Sequence, residues 1–154
     1  MKEEMALVQV GVVRRCEKGA RIQIDREYRE GLEGLDDFSH CHVLWWANAD
    51  FGFDKRSVLK GDLPYAPGHT AGVFACRGPF RPNLINMTVC PIVAVNKAEG
   101  TIDVADIDAM DGTPVVDVKA YYGICDRVRE PRGPEWLPAE WGDWVPENGI
   151  GLSQ

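Results

Sequence analysis

Asn86-Met87-Thr88-Val89-Cys90-Pro91-Ile92-Val93-Ala94-Val95, then Thr101-Ile102-Asp103-Val104-Ala105, then Val115-Val116-Asp117-Val118-Lys119-Ala120, decide the fold. Each run is rich in β-branched residues and of strand length. The turn pairs Glu99-Gly100 and Asp111-Gly112 stand between them, so this half of the chain reads as consecutive strands. Outward from there, Ala6 to Val13 and Ala20 to Asp25 alternate around the turn Glu17-Lys18-Gly19 as a hairpin would. His40 to Ala47 is an aromatic and apolar strand, and His69 to Cys76 is another. Arg26 to Leu35 has Tyr28, Leu32 and Leu35 at helical spacing, but Gly31 and Gly34 limit it to a turn or two of helix. Six or seven short strands with so little helix predict a mainly β fold, a small closed or nearly closed β-barrel, because closure removes the edges that such strands would expose.

The length of 154 residues is that of one ordinary domain, and sixteen glycines with ten prolines spread along it exclude a helical bundle. A net charge of −7 repels a phosphate backbone unless basic residues gather locally. The densest basic patch of the first half is Lys55, Arg56 and Lys60, in a polar segment from Asp50 to Pro67 that reads as a surface loop and offers candidate phosphate contacts. The longest uncharged apolar stretch, Leu84 to Val95, falls short of the ~20 residues that span a bilayer, so no membrane partner is expected. Met1-Lys2-Glu3-Glu4-Met5 lacks the basic region and apolar core of a signal peptide, and a cytoplasmic setting is expected. The five cysteines form no CxxC pair and are expected to be free thiols. Residues 1–126 read as the barrel and 127–154 as a Pro- and Trp-rich tail. Trp136, Trp141 and Trp144 are too apolar for water, so the tail is expected to pack on the body or on a second subunit.

Two segments could carry chemistry. Arg77-Gly78-Pro79-Phe80-Arg81-Pro82-Asn83 follows a strand; its prolines stiffen the backbone while two arginines and an asparagine present donors suited to a polar ligand. The plainer alternative is a strand connection whose arginines pair with surface carboxylates. Asp111-Gly112-Thr113-Pro114 is a sound turn sequence, and Asp117 and Lys119 beyond it share one strand face, either at a barrel mouth or simply in solvent. His40 and His42 also share a face, which leaves open a metal pair completed by His69 or an aspartate. Ser39-His40 could belong to a hydrolase triad, although no GxSxG elbow is present.

Three segments in order, Gly31 to His40, Gly72 to Asn83 and Asp111 to Lys119, resemble the TsaA-like, or TrmO, family through the patterns RxPxRPN and DGTPxxDxK. The likeness spans roughly Val10 to Tyr122 and implies a small β-barrel that uses S-adenosylmethionine and forms homodimers with the cofactor near the subunit interface. The implied activity is methylation of the exocyclic amine of threonylcarbamoyl-adenosine beside the tRNA anticodon. A second possibility keeps the cofactor but acts on, or senses, a small molecule instead. Carried over by position, Arg77, Pro79, Arg81, Pro82 and Asn83 would form the cofactor loop, Ser39 and His40 would line the pocket, and Asp111, Gly112, Thr113 and Pro114 would form the opposite wall. Asp111 or His40 would accept the proton that an amine loses, with Tyr121 orienting; no metal is implied. After RPN the family commonly continues Pro-Ile-Gly-Leu-Ser, whereas this chain has Leu84-Ile85-Asn86-Met87-Thr88, and Gly78 stands where serine is usual.

Overall fold

In the computed structural model, which describes residues 3–151, the strand-forming runs close on themselves. Strands β1 (Gly11–Arg15), β2 (Ala20–Ile24), β3 (His40–Trp46), β6 (Ile85–Asn96), β7 (Thr101–Val104) and β8 (Pro114–Ala120) make an antiparallel barrel in the order β1-β2-β7-β6-β3-β8. Strands β4 (Lys60–Asp62) and β5 (Thr70–Gly72) form a separate two-stranded sheet. The barrel closes where β1 meets β8, through Gly11 opposite Val115 and Val12 opposite Pro114. On its other side, a side chain at Gly11 would put its Cβ 2.4 Å from the Gln23 carbonyl oxygen of β2, so only glycine lets β1 approach β2 this closely.

Alternation along the strands sorts the residues. Cys41, Val43 and Trp45 of β3 lie opposite Cys90, Thr88 and Asn86 of β6, and all six are buried. Val13, Ile22, Ile102, Val104 and Val115 complete the inner face. The polar atoms within it are matched: the Trp45 indole N–H donates to Thr88 Oγ1 at 3.1 Å. Burial pushes the Cys41 thiol up to about 12 and Cys90 upward as well, so these facing cysteines are inert packing groups; no disulfide forms among the five.

Several boundaries differ from the sequence expectation. β1 begins at Gly11, not Ala6: Val10 N–H to the Val115 carbonyl is the last bond before the chain leaves the sheet, although β8 itself runs on to Ala120. Of His69 to Cys76 only Thr70–Gly72 is paired, since β4 offers three partners, and Val73–Ala75 then winds into a 3-10 turn. Arg26–Leu32 and Leu35–Asp37 are 3-10 turns that bury Leu32 and Leu35 in the core at one end of the barrel. That end also carries the β6–β7 hairpin and the one-turn helix α1 (Gly123–Asp126) after β8. The opposite end carries the β1–β2 turn, the long β3–β6 connection over 47–84 and the β7–β8 connection over 105–113. In the tail, Trp136 and Trp141 stand 6.3 and 4.9 Å from the Tyr65 ring and Trp136 is 6.4 Å from His69, whereas Trp144 is exposed. No helix among the described residues is long and apolar enough to cross a membrane.

Candidate active site

The segment Arg77 to Asn83 is built by side chains that hold main-chain carbonyls. Arg81 Nη2 donates to the carbonyls of Val73 at 2.7 Å and Cys76 at 3.1 Å, which folds the loop back on its entry turn. With its carboxamide nitrogen turned toward the two acceptors, Asn86 donates to the carbonyls of Arg77 at 3.1 Å and Gly78 at 3.3 Å. The residue that departs from the usual glycine therefore ties down the loop it follows. Arg77 Nη2 donates to the Met87 carbonyl at 2.9 Å, on the stretch of β6 that β7 does not reach. Arg56 Nη1 donates to the Pro82 carbonyl at 3.3 Å while its guanidinium lies 5.2 Å above the Trp46 ring. These bonds do for the loop what a ladder does for a strand.

The second segment is fastened to β1. Asp111 Oδ1 accepts the Arg15 N–H at 2.8 Å, and Gly112, at φ 77°, donates its N–H to the Val13 carbonyl at 2.8 Å. The carbonyl of buried Thr113 accepts the Val13 N–H at 2.9 Å. Only glycine adopts that left-handed conformation without strain, so the turn depends on Gly112. Arg15 adds a charge-assisted bond from Nη1 to Asp106 Oδ1 at 2.9 Å. On Asp108, burial and repulsion by Asp106 raise the carboxyl above its ordinary range against the pull of the Arg77 guanidinium. Asn83, the last residue of the first segment, and Pro114, the last of the second, line one depression of about 360 Å3 together with Trp46, Arg56, Ile85 and Val116, with Met5, Leu7, Val8 and Gln9 along one side. Asp117 and Lys119, on the outer face of β8, pair with each other at 2.6 Å.

Ser39, His40 and Tyr121 lie at the other end of β3. Ser39 Oγ is 2.8 Å from His40 Nδ1, and Tyr121 stands beside His40 and His42 at centroid distances of 6.2 and 5.6 Å. His42 is buried, its Nε2 3.2 Å from Asp126 Oδ1 but without an aligned hydrogen bond. Burial alone would raise the Asp126 carboxyl; the Tyr122 N–H at 2.7 Å and His42 hold it below its ordinary range. Seven residues of β3, roughly 20 Å at strand rise, separate this cluster from Trp46. The chain thus brings Asn83 and Pro114 to one depression, which Arg77, Pro79, Arg81, Pro82, Asp111, Gly112 and Thr113 do not line, and does not bring Ser39, His40 or Tyr121 to it within one protomer. Among the described residues, no three His, Cys, Asp or Glu side chains converge as a metal centre. Lys55 corrects an expectation. It is buried, and its Nζ donates to the carbonyls of Ala47 and Ala49, so it is no phosphate contact. Sequence reasoning missed Asp126, which lies in a short charged stretch with no motif; the signal lay in His42, whose spacing from His40 places both on one face.

The donor set fits S-adenosylmethionine. Ile85, Val116 and Pro114 offer apolar cover, the Asn83 carboxamide has no partner among the described residues, and Arg56 brings a cation to the wall of the same depression. Residues 8–127 match the tRNA-methyltransferase O N-terminal domain. A Pyrococcus horikoshii protein described as a probable S-adenosyl-L-methionine-binding protein is 39% identical over 121 residues, 77% of this chain and 84% of its own length. The mouse tRNA (adenine(37)-N6)-methyltransferase is 36% identical over 99 residues, 62% of this chain but 21% of that enzyme. The crystal structure of TrmO from Pseudomonas aeruginosa superposes with a TM-score of 0.68 at 25% identity, over 88% of this chain and 64% of that one, so this chain spans less than two thirds of the solved protein. On the extent of the domain match, the shared barrel and the two motif turns at one of its ends, the chain belongs to the tRNA-methyltransferase O family.

Proposed function

We propose that this chain is an S-adenosylmethionine-dependent N-methyltransferase acting in the cytoplasm on the exocyclic amine of adenosine, in its threonylcarbamoyl form, next to the anticodon of tRNA. The observation that carries the reading is the depression in which Asn83 of one motif and Pro114 of the other face the same space. S-adenosylmethionine supplies, when bound, a methyl group activated by a sulfonium. Arg56 and Arg77 offer guanidinium groups to its carboxylate, and the unpartnered Asn83 carboxamide can read an adenine edge. The amine gives up a proton as it is methylated. Asp111 Oδ2 is one acceptor, since only Oδ1 is held by Arg15; His40 Nε2 is the other, since Nδ1 is held by Ser39.

The distance between these two candidates supports a homodimer. The outer face of β3 runs His40, His42, Leu44, Trp46, and a two-fold axis near Leu44 would set His40 and Tyr121 of one protomer against the motif end of its partner. Mixing the inactive variants Asn83→Ala and His40→Ala would then restore part of the activity in mixed dimers; no recovery would leave Asp111 as the acceptor. Transfer of labelled methyl to tRNA with and without the threonylcarbamoyl group, read after digestion to nucleosides, tests the acceptor: label on the adenosine amine is expected. The net charge of −7 and the withdrawal of Lys55 from the surface favour a second reading, a small-molecule acceptor or ligand for the same cofactor site. Label that appears in a small-molecule extract and not in tRNA would establish it.

A further inference from the structure

Phe51, Phe53 and Phe80 form one cluster beside the proposed methyl-donor site, with ring centroids 5.2 Å (Phe51–Phe80), 5.4 Å (Phe53–Phe80) and 6.4 Å (Phe51–Phe53) apart. Phe51 and Phe53 are 43% and 53% exposed. Rings left in water normally turn inward, but here the backbone that presents them is closed at each turn. Asp50 Oδ1 accepts the Gly52 N–H at 2.8 Å, Asp54 Oδ1 accepts the Arg56 N–H at 2.9 Å, and the Asp54 carbonyl accepts the Ser57 hydroxyl at 2.8 Å. Lys55, buried beneath, holds the carbonyls of Ala47 and Ala49 and lies 5.4 Å from the centre of the Phe51 ring. Phe80 stands within Arg77 to Asn83 itself, so the platform and the motif loop are one surface.

Resting on the proposed function, we infer that Phe51, Phe53 and Phe80 are a stacking platform for an unpaired base of single-stranded RNA adjoining the nucleotide that is methylated. Unpaired bases are held by aromatic faces, and stacking needs no net positive charge, which suits a chain of −7. Lys60, exposed on the segment that presents Phe51 and Phe53 and not used by the cofactor, supplies a local phosphate contact. A second copy of the chain is a poor occupant. Two half-exposed rings offer on the order of 200 Å2, well below the ~800 Å2 per partner of a stable protein interface.

The test compares wild type with the doubles Phe51→Ser/Phe53→Ser and Phe51→Trp/Phe53→Trp. It reads kcat and KM on an anticodon stem-loop, calorimetric affinity for S-adenosylmethionine, and sedimentation. The serine double is expected to raise KM for RNA about tenfold or more, with cofactor affinity unchanged, and the tryptophan double to stay near wild type. An unchanged KM in the serine double, an equal loss in the tryptophan double, a parallel loss of cofactor affinity, or a change in oligomeric state would each overturn the platform. If wild type methylates no RNA, the proposed function fails first. The platform is then decided by anisotropy with labelled oligoadenylate: tenfold weaker binding by the serine double upholds it, and equal binding overturns it.

Discussion

The barrel and the long connection over 47–84 are held by different physics. In the barrel, backbone bonds run from strand to strand in continuous register, and buried residues such as Ile22, Val43 and Ile102 fill the space between. In the connection, β4 and β5 contribute three paired positions, scattered turns such as Leu63 N–H to the His69 carbonyl add isolated backbone bonds, and side chains hold further carbonyls: Arg81 on Val73 and Cys76, Asn86 on Arg77 and Gly78, Lys55 on Ala47 and Ala49. A ladder spreads its stability over many bonds, whereas a clamp concentrates it in one residue. The region that carries the candidate site is therefore the one expected to be unmade by a single substitution without unfolding the protein.

The largest effect is expected from Ile22→Ala. Deleting a fully buried side chain where β1, β2 and β7 meet should cost about 2–5 kcal/mol of global stability, read by chemical denaturation. Arg81→Ala sharpens the contrast. It removes two hydrogen bonds from a charged donor, each worth about 1.5–3 kcal/mol, yet the loss should stay local: faster amide exchange over 73–83 and cofactor affinity down about tenfold, with the global transition nearly unmoved. An Arg81→Ala protein as unstable as Ile22→Ala would show that connection and barrel form a single cooperative unit.

The smallest effect concerns the far end, where Asp126 beside His42 titrates below its ordinary range. A depressed carboxyl binds protons more weakly folded than unfolded, so its contribution is complete above about pH 4 and is lost as pH falls through the lowered value. An NMR titration of the Tyr121 ring should follow that loss, and Asp126→Asn should abolish it.

This contrast also explains what could be read in the sequence. Strands β2, β3, β6, β7 and β8 were visible to within a residue or two because a barrel wall repeats every second residue, as in Cys41, Val43 and Trp45. Strand β1 was misplaced because Leu7 and Val8 have the right composition, while the point where the chain joins the sheet, at the Val10 N–H bond to Val115, is a property of tertiary pairing. At the candidate site the motif residues stood out through their proline and glycine punctuation. Their partners did not: Lys55 looks like any surface lysine, and Asn86 like any strand asparagine, until the carbonyls they hold are placed beside them. The roughly 20 Å between His40 and the motif loops was equally hidden, since linear order says nothing about which end of a barrel a strand terminus occupies.

A crystal grown with S-adenosylhomocysteine tests the central claim most directly. Adenosyl density is expected in the depression between Asn83 and Pro114, with apolar contact to Ile85 and Val116. Ordered density elsewhere on the barrel, with Arg77 to Asn83 and Asp111 to Pro114 both free of ligand, would contradict it.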